Sequence, residues 1–363
     1  MQILFRVPML LLCLSLSAVA QQIEPAATSQ IQPGAVKASR LGSADRQITL
    51  DVVVTDRSNM VVPGLQQQDF TVLDNKQPSQ ILSFQAESAA AMKPDAGVEV
   101  VLVVDEVNTT FQRVAYERTE IKRFLGQNGG KLVHPVSLVY FTDAGTQIQT
   151  NPTLDGNGLS AAFDQHETAL RTITRGTGIY GAEDRTQLSL NALDAIAANE
   201  ATRPGRKIVI WVSPGWPTLS GPHIDLTLKQ AQGVFNSVVK ISAALRQARM
   251  TLYSVDPLGL ADAGGIRTTY YEEFLKGLKK PSDAQIGNLA LQVIATQSGG
   301  LALYGSNSIT GAINRCVADA NAFYVLTIAA APADRANDYH DLNVRVGTPG
   351  LTVRTRTGYY AEP

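Results

Sequence analysis

Val98-Glu99-Val100-Val101-Leu102-Val103-Val104-Asp105-Glu106-Val107-Asn108-Thr109-Thr110 is the stretch around which the chain is organised. Apart from Glu99, every residue from Val98 to Val104 is a branched aliphatic. That is the pattern of a strand buried on both faces, at the centre of a parallel sheet. The run ends on an acid, then on Asn108, Thr109 and Thr110, before a helical pattern begins at Phe111. Oxygen-bearing side chains at the C-terminal end of such a strand sit where open α/β sheets place their ligands.

Outward from this strand the chain alternates. Apolar runs at 135–142, 207–213, 250–256 and 301–304 read as further strands. Helical spacing separates them, most plainly over 226–248, 288–297 and 309–320. This grammar specifies an α/β fold, a doubly wound and mostly parallel sheet, over residues 98–321. On either side the period changes to short strands between turns. They fall at 48–56, 70–74 and 81–84 before it, and at 323–329, 340–346 and 351–359 after it. Three strands bury too little to make a sandwich alone. The two sets, within 46–86 and 322–363, are therefore expected to share one small antiparallel β-sandwich, with the α/β domain inserted between them.

Residues 1–20 read as a cleavable signal peptide. Arg6 precedes a short apolar core at 9–16, and Ala18-Val19-Ala20 supplies a small-x-small cleavage site before Gln21. Residues 21–45, rich in Pro, Gly, Ala, Ser and Gln, read as a flexible leader. Export to the periplasm or beyond is the expected localisation. Without Arg6, 30 basic residues face 32 acidic ones, a balance of −2. Such a balance argues against broad binding to nucleic acid or acidic membranes. Beyond the signal segment no apolar run approaches the roughly 20 residues that span a bilayer. Cys316 alone remains after cleavage, which excludes an intramolecular disulfide, and its apolar helical face marks it as core.

A hydrophobic strand ending in Asp105, a Gly176-Thr177 loop before a helix, and a hydrophobic strand ending in Ser213-Pro214-Gly215 follow one another in order. Over roughly residues 99–320 this resembles the von Willebrand factor type A domain. The flanks resemble the von Willebrand factor A-related domain proteins of Acidobacteria. The matching stretches are Leu50-Asp51-Val52-Val53-Val54, Asp69-Phe70-Thr71-Val72-Leu73-Asp74-Asn75, and Pro349-Gly350-Leu351-Thr352-Val353-Arg354-Thr355-Arg356-Thr357-Gly358-Tyr359-Tyr360.

The resemblance implies a site for Mg²⁺ or Mn²⁺ built from hard oxygens, with an open position for a ligand carboxylate. Carried over by position, its ligands are Asp105, Thr109, Thr177 and Ser213. This sequence departs from the pattern twice: Val107 brings no oxygen where a serine belongs, and Ser213 no charge where an aspartate belongs. The implied metal site is degenerate. The same residue types also bond to loop backbone and cap helices, the other reading of this set.

Asp105-Glu106-Val107-Asn108-Thr109 also touches the Asp-x-Asp-x-Thr pattern of haloacid-dehalogenase phosphatases, but Val107 cannot move a proton as that chemistry requires. Trp211 replaces the first glycine of a nucleophile elbow before Ser213. His134, His166, His223 and His340 show no triad or metal spacing. The sequence therefore points away from an enzyme. It points to a protein-binding module, adhesive or scaffold-like, that uses the loop rim at the C-terminal ends of the strands. Asn108, Trp216 and His223 are the rim residues singled out, with Trp216 either exposed there or packed beneath its own loop. A structural part of an envelope assembly is the alternative, and a phosphatase-like enzyme the remote one. The sequence names neither the partner nor the oligomeric state.

Overall fold

Val100 to Val104 expose no surface at all, and the computed structural model shows why. It describes residues 47–88, 97–149, 151–166, 179–219, 225–262 and 269–362; the signal segment, the leader and most of the 87–97 linker lie outside them. The chain opens with β1 (Gln47–Thr55), β2 (Phe70–Asp74), β3 (Gln77–Ser79) and β4 (Ile81–Ser88). Then come β5 (Glu99–Asp105), α1 (Phe111–Leu125), β6 (Lys131–Thr142), β7 (Gly145–Ile148), β8 (Thr153–Asp155), α2 (Gly156–Gln165) and α3 (Ile179–Glu200). They lead into β9 (Lys207–Val212), α4 (Leu228–Gln247), β10 (Met250–Val255), α5 (Leu291–Gln297), β11 (Ala302–Leu303) and α6 (Ile309–Val317). The chain closes with β12 (Ala322–Ala329), β13 (Asp338–Val346), β14 (Thr352–Arg354) and β15 (Gly358–Ala361).

β5 lies inside a sheet of order β11-β10-β9-β5-β6-β7, parallel except at β7 and at β8, which pairs with β6. Alternation along β5 feeds two cores. Val101 and Val103 pack with Leu193, Val234 and Ile294 on the α3, α4 and α5 side. Val100, Leu102 and Val104 pack with Ile121, Phe163 and Ile313 on the α1, α2 and α6 side. Helices on both faces of a mostly parallel sheet make the doubly wound architecture.

The other eight strands form two antiparallel sheets, β14-β1-β12-β4 and β15-β13-β2-β3. Each mixes strands from both ends of the chain: β1 pairs with β12 over Gln47–Val52, and β2 with β13 over its whole length. Leu50, Val52, Val54, Phe70, Val72, Tyr324 and Leu326 meet in one core between the sheets. The structure corrects two details. Between the strands expected at 70–74 and 81–84 the turn is confined to Asn75 and Lys76, both at positive φ, and Gln77–Ser79 is a fourth N-terminal strand. The single strand expected over 351–359 is two, in different sheets. The break is fixed from the α/β side: the Thr357 N–H donates to the Gln297 carbonyl at 3.0 Å. Gly299 (φ 97°) presses so closely on Thr355 that a Cβ there would lie 2.7 Å from its carbonyl carbon.

Sandwich and α/β layer are joined through Asp319, which is fully buried. Both oxygens of its carboxylate accept from the Arg354 guanidinium of β14, each at 2.7 Å, and one of them also accepts the Tyr253 hydroxyl from β10 at 2.7 Å. Its backbone carbonyl accepts from Arg206 at 2.9 Å. Arg249 and Asp51 make a second ion pair across the same junction.

Candidate functional site

Asp105 ends β5 on the crest of the sheet, and its neighbour across the register is Ser213, since Val104 pairs with Val212. The Asp105 side chain is fully buried. One carboxylate oxygen accepts the backbone N–H of Val107 (2.9 Å) and of Asn108 (2.7 Å). The other accepts the Asn108 amide (2.9 Å) and the Trp211 indole N–H (3.0 Å). An aspartate closing the turn that follows it makes an Asx turn, a local side-chain-to-backbone bond that this residue readily forms. Here the indole from β9 completes the set, filling about four acceptor positions, the full capacity of a carboxylate.

Other acids surround it. Glu117 on α1 has no exposed surface. Burial, then the charge of Asp105, with Asp256 and Glu106 adding, pushes its carboxyl well above the ordinary range. A hydrogen bond from Thr109 works the other way. The protonated form of Glu117 is thereby favoured. Glu106 meets the His166 ring at 3.5 Å, and that ring stacks on Tyr140 with centroids 3.7 Å apart. Burial first, and Arg118 second, hold His166 below its ordinary value, so the contact is weighted toward neutral imidazole. Arg118 itself donates to the carbonyls of Phe163 and His166 and lies over the Phe163 ring. Glu117 and His166 were not singled out in the sequence, because only the fold brings α1 and the end of α2 to this crest.

The structure sorts the residues singled out in the sequence. Asp105, Thr109 and Ser213 share the crest; Thr177 and His223 lie outside the described residues. Trp216 corrects the rim reading: it is 3% exposed and packs edge-on against Trp211 at 5.3 Å, within the α3–α4 core. Asn108 turns inward too, donating to Asp105 and to the Ser189 hydroxyl at 3.0 Å.

The described part of the implied ligand set does not fit a divalent cation. Asp105 has no acceptor position left, Val107 lies in the apolar core, and the Ser213 hydroxyl accepts the Gly215 N–H at 3.2 Å. Among the described residues no group of three or more His, Cys, Asp or Glu is arranged to hold an ion.

The crest also exposes three large side chains with apolar surface. Tyr116 on α1, Leu260 after β10 and Tyr304 after β11 are 40, 64 and 39% exposed. Asn307 ties two of them together: its carbonyl accepts the Tyr116 hydroxyl, and its side-chain oxygen accepts the Leu260 N–H at 2.9 Å. Gly259 (φ 67°) makes that approach possible, because a Cβ there would lie 2.2 Å from the Asn307 side-chain oxygen.

No family model matches the chain, and no curated protein does. Solved structures give distant similarities. One is the pilus adhesin SpaC from Lactobacillus rhamnosus GG (10% identity, TM-score 0.39, 83% of this chain and 49% of that one). Another is the PilB minor pilin from Streptococcus sanguinis (11%, 0.36, 62% of each). A third is the SpRpn10 VWA domain (12%, 0.21, 45% of this chain and 88% of that one). The chain thus spans about half of the adhesin and 62% of the pilin. No helix among the described residues is long and apolar enough to cross a membrane.

Proposed function

We propose that this chain is an exported protein-binding module, adhesive or scaffold-like, that meets its partner through the crest of the parallel sheet without a metal ion. The observation that carries the reading is the exposure of Tyr116, Leu260 and Tyr304 at the crest, the first two held by Asn307. Exposed tyrosines and a leucine supplied by separate elements, with one hub fixing two of their positions, are the kind of anchors that protein interfaces use. The saturated Asp105 turn beneath them makes the crest a fixed platform. Export rests on Arg6, the apolar core at 9–16 and Ala18-Val19-Ala20, and the resemblance to von Willebrand factor A-related proteins agrees with both parts. The test is capture from the exported fraction of the native cell. Wild-type protein is compared with Tyr116→Ala/Leu260→Asp/Tyr304→Ala, and with Val133→Asp, which changes an exposed residue near the opposite edge. The proposal expects a partner lost only in the crest variant, in the presence of EDTA as in its absence. Capture that survives the crest variant refutes it.

A further inference from the structure

Among the described residues the sheets end on β3, β7, β11, β14 and β15, strands of two to four residues, with one exception. β4 is an edge of eight residues, paired with β12 on one side and, among the described residues, with no strand on the other. It carries neither proline nor a basic residue, and its single charged side chain is Glu87. An unpaired edge of that length is a template for another strand, and folds ordinarily blunt it with lysine, proline or brevity. We propose that β4 is a self-association surface: two copies of this chain pair β4 with β4, antiparallel about a two-fold axis at Gln85, and join two four-stranded sheets into one of eight.

A second copy is the occupant because β4 complements itself. Residues opposite one another in an antiparallel pair point to the same face, so a two-fold axis must fall on a residue. The register places Phe84 beside Leu326 and Ala86 beside Tyr324, whose side chains lie in the sandwich core. Phe84 stacks on Tyr324 with centroids 5.9 Å apart and is half-buried, whereas Ala86 on the same face is exposed. With the axis at Gln85, Phe84 of each copy lies against Ala86 of the other, a large side chain over a small bare one. Ser83 then meets Glu87, hydroxyl to carboxylate, and the two Gln85 amides face each other. Every contact is made twice or falls on the axis, as an isologous interface requires. These pairs stay within the stretch where β4 keeps regular register with β12, which shifts at Leu82. An axis at Phe84 would run the pairing into that shift, and one at Glu87 would set two carboxylates side by side. One at Ala86 would give up the hydroxyl-to-carboxylate pairs. Along the new seam the open backbone groups of both edges gain partners.

Sedimentation equilibrium of the full chain at low salt tests this. Wild type should show a monomer–dimer equilibrium. Gln85→Lys sets two ammonium groups opposite each other at the axis and should weaken the dimer about fivefold. Gln85 is exposed, so the variant keeps its fold. Gln85→Glu should weaken it likewise, yet an equimolar mixture of the two variants should associate more tightly than either alone. Ser83→Lys, which meets Glu87 twice in the dimer, should tighten it about fivefold. A wild-type chain that stays monomeric to about 1 mM overturns the proposal, as does a dimer that Gln85→Lys leaves unchanged. A mixture no tighter than its components, or a Ser83→Lys chain no tighter than wild type, overturns it too, because the axis would then not lie at Gln85.

Discussion

Replacing Asp105 with alanine should cost about 4 kcal/mol of folding stability whether or not a divalent metal is present. The carboxylate accepts four N–H groups. The Asn108 amide keeps Ser189 as a partner, which leaves three donors stranded. A buried donor without a partner costs about 1–3 kcal/mol, so three set a range of about 3–9 kcal/mol. Water entering the vacated polar space pulls the value toward the low end. Asp105→Asn keeps the shape, yet either orientation of the amide sets an NH₂ group against two donors, and about 2–4 kcal/mol is expected. Trp211→Phe removes a single donor and should cost about 1–2 kcal/mol. Urea denaturation of the three variants, each run in EDTA and in excess Mg²⁺, measures all of this. If Asp105 existed to hold an ion, Mg²⁺ would stabilise wild type in proportion to its binding, and the alanine variant would differ from it only when Mg²⁺ is present. That result, or a loss below about 0.5 kcal/mol in EDTA, would refute the reasoning.

Three further outcomes are expected. Glu99, 12% exposed at its side chain, is pushed up to about 7 by burial and then by Glu200, against the pull of Arg203. The folded state therefore holds a proton that the unfolded state releases near the ordinary 4.5. Stability is full below that value and falls by about 3 kcal/mol as pH rises to 7. Glu99→Gln should flatten this window and exceed wild type at about pH 8, and an unchanged pH slope in urea melts would contradict it. Arg354→Ala leaves the buried Asp319 carboxylate with Tyr253 and the more distant Arg315; about 3 kcal/mol should be lost, read by calorimetry. Deleting 323–363 removes the partners of β1, β2 and β4, so amide protection at Leu50–Val54 should vanish while β5 stays protected. Persistent protection in β1 would show that the N-terminal strands stand alone.

The parts of the fold legible in the sequence were those whose burial is decided locally. β5, β9 and β10 are covered on both faces, so the apolar runs at 98–104, 207–212 and 250–255 announced them without reference to any partner. The inner valines and leucines of β1 and β2 did the same for the sandwich. The split of 351–359 was not legible, because it is imposed by Gln297 and Gly299 from another layer. The site divides in the same way. Asp105, Thr109 and Ser213 are strand-end residues and could be placed by pattern. The indole that occupies Asp105 comes from 106 residues away, and the outward or inward aim of Trp216 depends on whether Trp211 offers it a face. His340 gave no signal either; it bonds to Asp74 at 2.8 Å and stacks on Tyr359, whose hydroxyl donates to the same carboxylate. That network is buried within the sandwich.

The pairing of β4 with β12 has a mechanical meaning. Ser88, the last residue of β4, stands opposite Ala322, the first of β12, so the chain enters and leaves the α/β domain through a neck closed by adjacent hydrogen-bonded strands. Tension applied between residues 47 and 361 is handed from strand to strand within the sandwich and bypasses the domain hung beyond that neck. Under stretch the sandwich takes the load first, and the crest of the parallel sheet keeps its shape until β4 and β12 part.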